Sequence, residues 1–382
     1  MNTRKLYYED CGLRSFTATV LSCAETGDRY AVILDATAFY PEGGGQPWDL
    51  GTLGSAQVLA VLEKGETVVH LCDGPLPVGE QVEGNVDWNR RLDLMQQHTG
   101  EHIVSGLIHS RFGLHNVGFH MGSEMITIDF DGPIPQEALL EIEAEANRRV
   151  WENLPVRCWY PTEEALPDIF YRSKKQLPWP VRIVQIPGTD SCACCGVHTA
   201  STGQVGFVKL FSCVKFHQGV RIEMACGGRA LALLNRAYEQ NRQVSQAFSA
   251  KPFETGAAAR QMNESLAQEK YRCAQLRRQL LQGVAEGYAG QGNVLHFAED
   301  LSPGELRTLA QAISECSGGT AAVLCGSAES WNVCLAHPGG DVKELGARMA
   351  KALGGRGGGK PGFFQGSLHA SREEISRFFG DF

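Results

Sequence analysis

No stretch of this 382-residue sequence approaches the roughly eighteen consecutive apolar residues of a membrane-spanning helix. An export signal is missing too, because the basic start Met1-Asn2-Thr3-Arg4-Lys5 runs into Tyr7, Tyr8, Glu9 and Asp10 instead of an apolar core. These two absences point to a soluble, unexported, cytoplasmic protein with no membrane partner. Cationic excess is also lacking: 35 Lys and Arg against 43 Asp and Glu leave a formal charge of -8. That balance argues against indiscriminate nucleic-acid binding and leaves room only for a local basic groove. Neither a dinucleotide fingerprint nor a P-loop is present, since the long glycine tract at 354–366 follows a helical pattern instead of preceding one. Cysteine is not scarce. Thirteen, an odd number spread over the whole chain, fit a reducing compartment better than a disulfide framework, most of them as small buried hydrophobes.

With 43% hydrophobic residues the chain can bury several cores, and its length suits two or three domains better than one. Residues 1–87 read as a small β-barrel, with short runs such as Thr17-Ala18-Thr19-Val20-Leu21 and Thr67-Val68-Val69-His70-Leu71 separated by Gly, Pro and Asp turns. Residues 88–226 alternate helix and strand. Met125-Ile126-Thr127-Ile128-Asp129-Phe130 alternates as a half-buried strand, Pro135 opens a helix, and runs around 156–160, 181–186, 204–210 and 220–224 complete an α+β layer with a mostly antiparallel sheet. Residues 227–289 read as a helical hairpin or broken coiled coil. Met262, Leu266, Glu269, Cys273, Leu276 and Leu280 fall on alternating steps of four and three, a seam that either packs on the chain or makes a homodimer. Residues 290–382 return to α/β. The fold class is therefore α+β and multidomain.

Chemistry concentrates in a few places. Met95-Gln96-Gln97-His98-Thr99-Gly100-Glu101-His102 puts two imidazoles four residues apart on a helix that Asp87 can cap and Gly113 can close. Such a pair alone does not separate a metal site from two satisfied histidines. A second cluster, Cys192-Ala193-Cys194-Cys195-Gly196-Val197-His198, adds a thiolate and an imidazole at matching spacing. His98, His102, Cys194 and His198 form a set that suits zinc and not calcium or magnesium, with Cys192 and Cys195 as alternative ligands. Four ligands would close a structural site, whereas a hydrolytic zinc keeps one position open, so either His198 yields or another group handles water. Glu101 points about 100° away from His102 on a helix and reads as a solvated surface carboxylate. The loop Thr37-Ala38-Phe39-Tyr40-Pro41-Glu42-Gly43-Gly44-Gly45-Gln46-Pro47 is either a loose surface turn or a shaped wall with polar handles. In the glycine tract, four basic residues and no acidic one between Arg348 and Lys360 suit a loop that contacts phosphate, while Phe363 and Phe364 are better read as core.

Taken in this order, residues 37–46, Val86-Asp87-Trp88-Asn89-Arg90-Arg91 with the histidine helix, Cys194-Cys195-Gly196-Val197-His198, and Thr202-Gly203-Gln204-Val205-Gly206 resemble the editing domain of alanyl-tRNA synthetases. They resemble still more the free-standing alanyl-tRNA editing proteins of the AlaX group. The tract at 354–366 is similar to the last, DHH-associated type domain of the synthetase, which implies the long form. The resemblance implies a zinc-dependent aminoacyl-tRNA deacylase that acts on mischarged tRNA(Ala), chiefly seryl and possibly glycyl. It implies zinc on His98, His102, Cys194 and His198, and an amino-acid pocket lined by Thr37, Gly43, Gly44, Gly45 and Gln46. His120 falls where the family has a polar glutamine, so Thr37 and His120 become the candidates for catalysis and hydroxyl reading. Arg356 and Lys360 become candidate tRNA contacts, with a non-catalytic tRNA-binding module as the alternative. Cys195 and Val197 depart from the family's usual glycine and threonine.

Overall fold

A computed structural model describes residues 2–173, 177, 179–327 and 329–380. The chain divides into two compact units, Met1–Arg242 and Gln243–Phe382.

The first unit opens with β1 (Arg4–Lys5), α1 (Leu6–Glu9), β2 (Ser15–Thr26), β3 (Arg29–Leu34), β4 (Ala36–Thr37), β5 (Gly51–Leu53), β6 (Ala56–Lys64), β7 (Thr67–Cys72) and β8 (Gln81–Val86). Six of these close a barrel in the order β2-β3-β7-β6-β5-β8, and β8 returns to β2 from Ser15 opposite Asn85 to Thr19 opposite Gln81. Alternation builds its interior: in β8 Val82, Gly84 and Val86 point inward while Gln81, Glu83 and Asn85 face water. Val20, Val32, Leu34, Phe39, Leu53, Val61 and Val68 fill the core.

The long helix α2 (Trp88–Phe112) follows. The Asp87 side chain accepts from Arg90 N at 3.2 Å, and Gly113 ends the helix at φ 68°. Leu94, Ile103, Val104 and Ile108 of α2 pack against an antiparallel sheet ordered β14-β15-β10-β9, made of β9 (Asn116–Met121), β10 (Ile126–Phe130), β14 (Val208–Phe216) and β15 (Gly219–Cys226). Helix α3 (Gln136–Trp151) shares this core through Leu139, Ile142 and Val150. A smaller antiparallel sheet joins β11 (Arg157–Trp159), β12 (Ile183–Ile186) and β13 (Asp190–Ala193). The run read as a strand from 204 differs: Thr202–Val205 is a 3-10 turn, Gly206 takes φ 83°, and the strand begins at Val208. Helix α4 (Gly227–Ala247) then leaves β15.

The second unit holds α5 (Thr255–Glu286), β16 (Gly292–Ala298), α6 (Pro303–Ser317), β17 (Gly318–Ser327), β18 (Ser330–Ala336), α7 (Lys343–Ala352), β19 (Arg356–Lys360), β20 (Phe363–Leu368) and α8 (Arg372–Phe378). Its sheet runs β16-β17-β18-β20-β19, with only β16 and β17 parallel. The glycine tract, expected as a loop, is instead the edge strand β19, paired with β20 from Arg356 opposite Ser367 to Lys360 opposite Phe363. Its lack of side chains is what admits the neighbour, because a Cβ at Gly357 would meet Phe364 Cζ at 2.7 Å. Phe364 is core, and Phe363 is half-buried under Arg307. On α5 Met262, Leu266, Leu276 and Leu280 are exposed and only Ala285 is buried. No described helix is long and apolar enough to cross a membrane.

Candidate metal centre and its cavity

Helix α2 presents His98 and His102 one turn apart, and the segment leaving β13 brings Cys194 and His198 against them, so that one ligand atom from each lies within 4.8 Å of the others. Oxygen acceptors orient two of the three rings. Val197 N donates to Gln46 Oε1 at 3.2 Å, which fixes the amide with its oxygen on that side, and the same oxygen takes the proton of His98 Nδ1 at 2.8 Å. His102 Nδ1 donates to Asp190 Oδ2 at 2.9 Å, and Arg172 clamps Asp190 at 2.7 and 2.9 Å. His198 Nδ1 lies 3.3 Å from Thr99 Oγ1. The Nε2 atoms of His98 and His102 are thereby left for a common partner, in the way that outer-shell groups prepare metal ligands.

The donor set fits zinc. Cys194 Sγ stands 3.4 Å from His98 Nε2, against about 3.5 Å for the N–S edge of a tetrahedron with zinc bonds of about 2.0–2.3 Å. Burial raises the Cys194 thiol, yet the charge of His98 and a hydrogen bond from His102 hold it well below the ordinary thiol value. Burial draws His102 down, but Asp190 and Cys194 carry it well above the ordinary imidazole value. A metal entering this thiolate and imidazolium pair must therefore displace a proton. His198, pushed down to about 3 by burial and then by the charge of His98, stays neutral. Its Nε2 is buried with no partner among the described residues, a lone pair left for a metal. Gly196 is required beside this set, because a Cβ there would meet His98 Cε1 at 2.1 Å. Of the alternative thiols, Cys192 groups only with His102 and Asp190, and burial pushes it up to about 11. Cys195 is exposed and belongs to neither ligand group.

A cavity of about 620 Å³ opens onto the cluster, walled by Gly44, Gly45, Glu101, Asn116, Phe119 and Arg172 among others. Glu101 is the main correction to the sequence reading. It is 5% exposed, not solvated, and Oε1 accepts from Ser105 Oγ and Asn116 Nδ2 at 2.5 Å each. Ser105 one turn on and Asn116 at the start of β9 cover that helix face, which the angular spacing of neighbours on one helix does not reveal. Of the glycine loop, Gly44 and Gly45 reach the cavity, Gly43 pairs with Gln46, and Gln46 turns to His98. Thr37 is not brought to the cavity: it is fully buried in β4, with Oγ1 2.8 Å from His70 Nε2. His120 is exposed on β9 and its neighbour Phe119 faces the site, stacked on His98 at 5.3 Å. Strand alternation is the signal that would have found it. Asp190, Arg172 and Asn116 carried no local signal, because each acts through a partner distant in sequence. Arg356 and Lys360 lie exposed on β19 of the second unit.

Two family models match the chain, the class II (A) tRNA synthetases at residues 3–90 and the threonyl and alanyl tRNA synthetase second additional domain at residues 181–223. The alanyl-tRNA editing protein Aarsd1-A of Xenopus laevis is 28% identical over 390 residues, covering 96% of this chain and 94% of its own. The chain is similar, end to end, to the alanyl-tRNA editing proteins. The Aarsd1 editing protein of Mus musculus repeats this at 27% identity, with 94% and 93% covered. The alanine–tRNA ligase of Thermofilum pendens is 33% identical over 97% of this chain, which spans 43% of that enzyme, less than half its length. The first family match ends at residue 90 and the second begins at 181, so His98 and His102 lie outside both, while Cys194 and His198 lie inside the second.

Proposed function

We propose that this chain is a cytoplasmic trans-editing hydrolase that removes a wrongly attached amino acid, chiefly serine and possibly glycine, from tRNA(Ala). One zinc would sit on His98, His102, Cys194 and His198. The observation that carries the reading is the buried, unpartnered Nε2 of His198 beside a thiolate and two oriented imidazoles, opening onto a cavity large enough for an aminoacyl group. Bound zinc supplies Lewis-acid polarisation at the reacting ester. Gln46, Asp190 and Thr99 hold the ligand rings, while Gly44, Gly45 and Phe119 shape the wall that positions the acyl group. Water adds to the ester carbonyl, the acyl C–O bond breaks, and the products are the free amino acid and the terminal ribose hydroxyl.

Editing of this kind meets a physical need, because a pocket shaped for alanine rejects an added hydroxyl only about a hundredfold. On the cavity wall Asn116 Oδ1 is buried without a partner. A serine hydroxyl would satisfy it and alanine would leave it unpaired, which supports the serine preference better than Thr37 or His120 does. The regions keep their proposed roles: 1–87 the glycine-loop barrel, 88–226 the editing core, 227–289 a helical spacer and 290–382 a domain for tRNA contact or homodimer formation. Four convergent donors favour the second reading, in which zinc is closed and structural in a tRNA-binding module. Deacylation of seryl-, glycyl- and alanyl-tRNA(Ala) separates the two. Hydrolysis of the seryl ester with alanyl-tRNA spared is the expected result, and no hydrolysis of any of the three contradicts it.

A further inference from the structure

On the reading that this cavity takes an aminoacyl ester, we infer that Glu101 binds the α-ammonium group of that ester. Glu101 follows Gly100 on α2, is 5% exposed, and among the described residues is the only carboxylate on the cavity wall. Ser105 Oγ and Asn116 Nδ2 both donate to Oε1 at 2.5 Å and so hold the side chain in one orientation. Oε2 accepts from no described residue and lies 3.8 Å from His102 Nε2, on the side of the ligand cluster. His102 is its only ion-pair partner among the described residues and gives it no hydrogen bond at that distance, so the arrangement leaves one oxygen of a largely buried carboxylate open to a positively charged ligand.

The two arginines on the same wall are committed elsewhere. Arg172 gives its hydrogen bonds to Asp190 at 2.7 and 2.9 Å. Arg182 donates to Cys194 O at 3.0 Å and Gly196 O at 2.7 Å, with its guanidinium 4.6 Å from the centre of the Tyr8 ring. An aminoacyl ester carries its ammonium two bonds from the carbonyl carbon. That short span matches the closeness of Oε2 to His102, so one acyl group can present its carbonyl to the cluster and its ammonium to Glu101. A charge-assisted contact of this kind would select aminoacyl esters over esters of acids that lack the amine.

The test uses two adenosine 3′-amide analogues, which resist hydrolysis: one bearing a seryl group and the other the same group without its α-amine. Calorimetry on the zinc-loaded wild-type and Glu101→Gln proteins gives four affinities. Wild type is expected to bind the amine-bearing analogue roughly 10- to 100-fold more tightly. Glu101→Gln is expected to bring that ratio close to one with zinc content unchanged and with binding of the amine-free analogue preserved. A retained ratio in Glu101→Gln, or an equal loss of both analogues, would overturn the assignment. Equal binding of the two by wild type would overturn it without any variant. Wild-type binding of neither analogue would overturn the aminoacyl reading of the cavity together with this inference.

Discussion

At the scale of single residues, His70 shows how a barrel interior handles an imidazole. Its Nδ1 faces Val32 O, which only accepts, so Nδ1 carries the proton and Nε2 accepts from the Thr37 hydroxyl at 2.8 Å. Burial draws its pKa down to about 4. Between that value and the unfolded value of about 6.5 the unfolded chain binds more protons, so stability falls as pH falls through this window. Urea unfolding at pH 7 and pH 5 should show wild type losing about 2 kcal/mol more than His70→Gln between the two. An equal loss in both proteins would place the acid sensitivity elsewhere. The same pair shows where sequence reading stops. Thr37 looked like a substrate contact because it opens the glycine loop, but the loop begins inside the barrel, where its hydroxyl is taken by a histidine 33 residues away. The histidines and Cys194 were legible from spacing on a helix and a loop. Glu101 was not, because its burial comes from Ser105 and from Asn116 on the following strand.

At the scale of elements, the site depends on how the glycine loop is fixed to α2. Arg91, fully buried, donates to Asp49 from Nε at 2.9 Å and from Nη1 to Cys11 O at 3.1 Å, while Asp49 also accepts from Tyr40 N at 2.6 Å. Asp49→Ala should therefore destabilise the chain by about 3–5 kcal/mol, because it strands a buried guanidinium. Denaturant titration checks this, and a cost under about 1 kcal/mol would mean that the loop is held by other contacts. An element with strong ends was readable in the sequence: α2, from Asp87 and Gly113. The tract at 354–366 was misread because consecutive glycines signal loops in general, whereas here Arg356–Lys360 pairs as a hairpin with β20, which starts at Phe363.

At the scale of the whole molecule, the proposed function sets a chain of formal charge -8 against a polyanion. Long-range attraction cannot bring the two together, so any tRNA affinity beyond the acceptor end needs local cations. Arg356 and Lys360 on the exposed edge β19 are the proposed ones. Replacing both with Ala in the full chain should weaken tRNA binding and lower the slope of log affinity against log salt by about two at most. An unchanged slope would assign the second unit to assembly. The measurement that tests the central claim most directly is zinc content and seryl-tRNA(Ala) deacylation followed together in one sample, through chelation and readdition of zinc, for wild type and for Cys194→Ala. Wild type should hold one zinc per chain, lose hydrolysis in step with its removal and recover both on readdition, while Cys194→Ala holds little zinc and stays inactive. Full hydrolysis in metal-free wild type, or undiminished zinc in Cys194→Ala, would contradict the account.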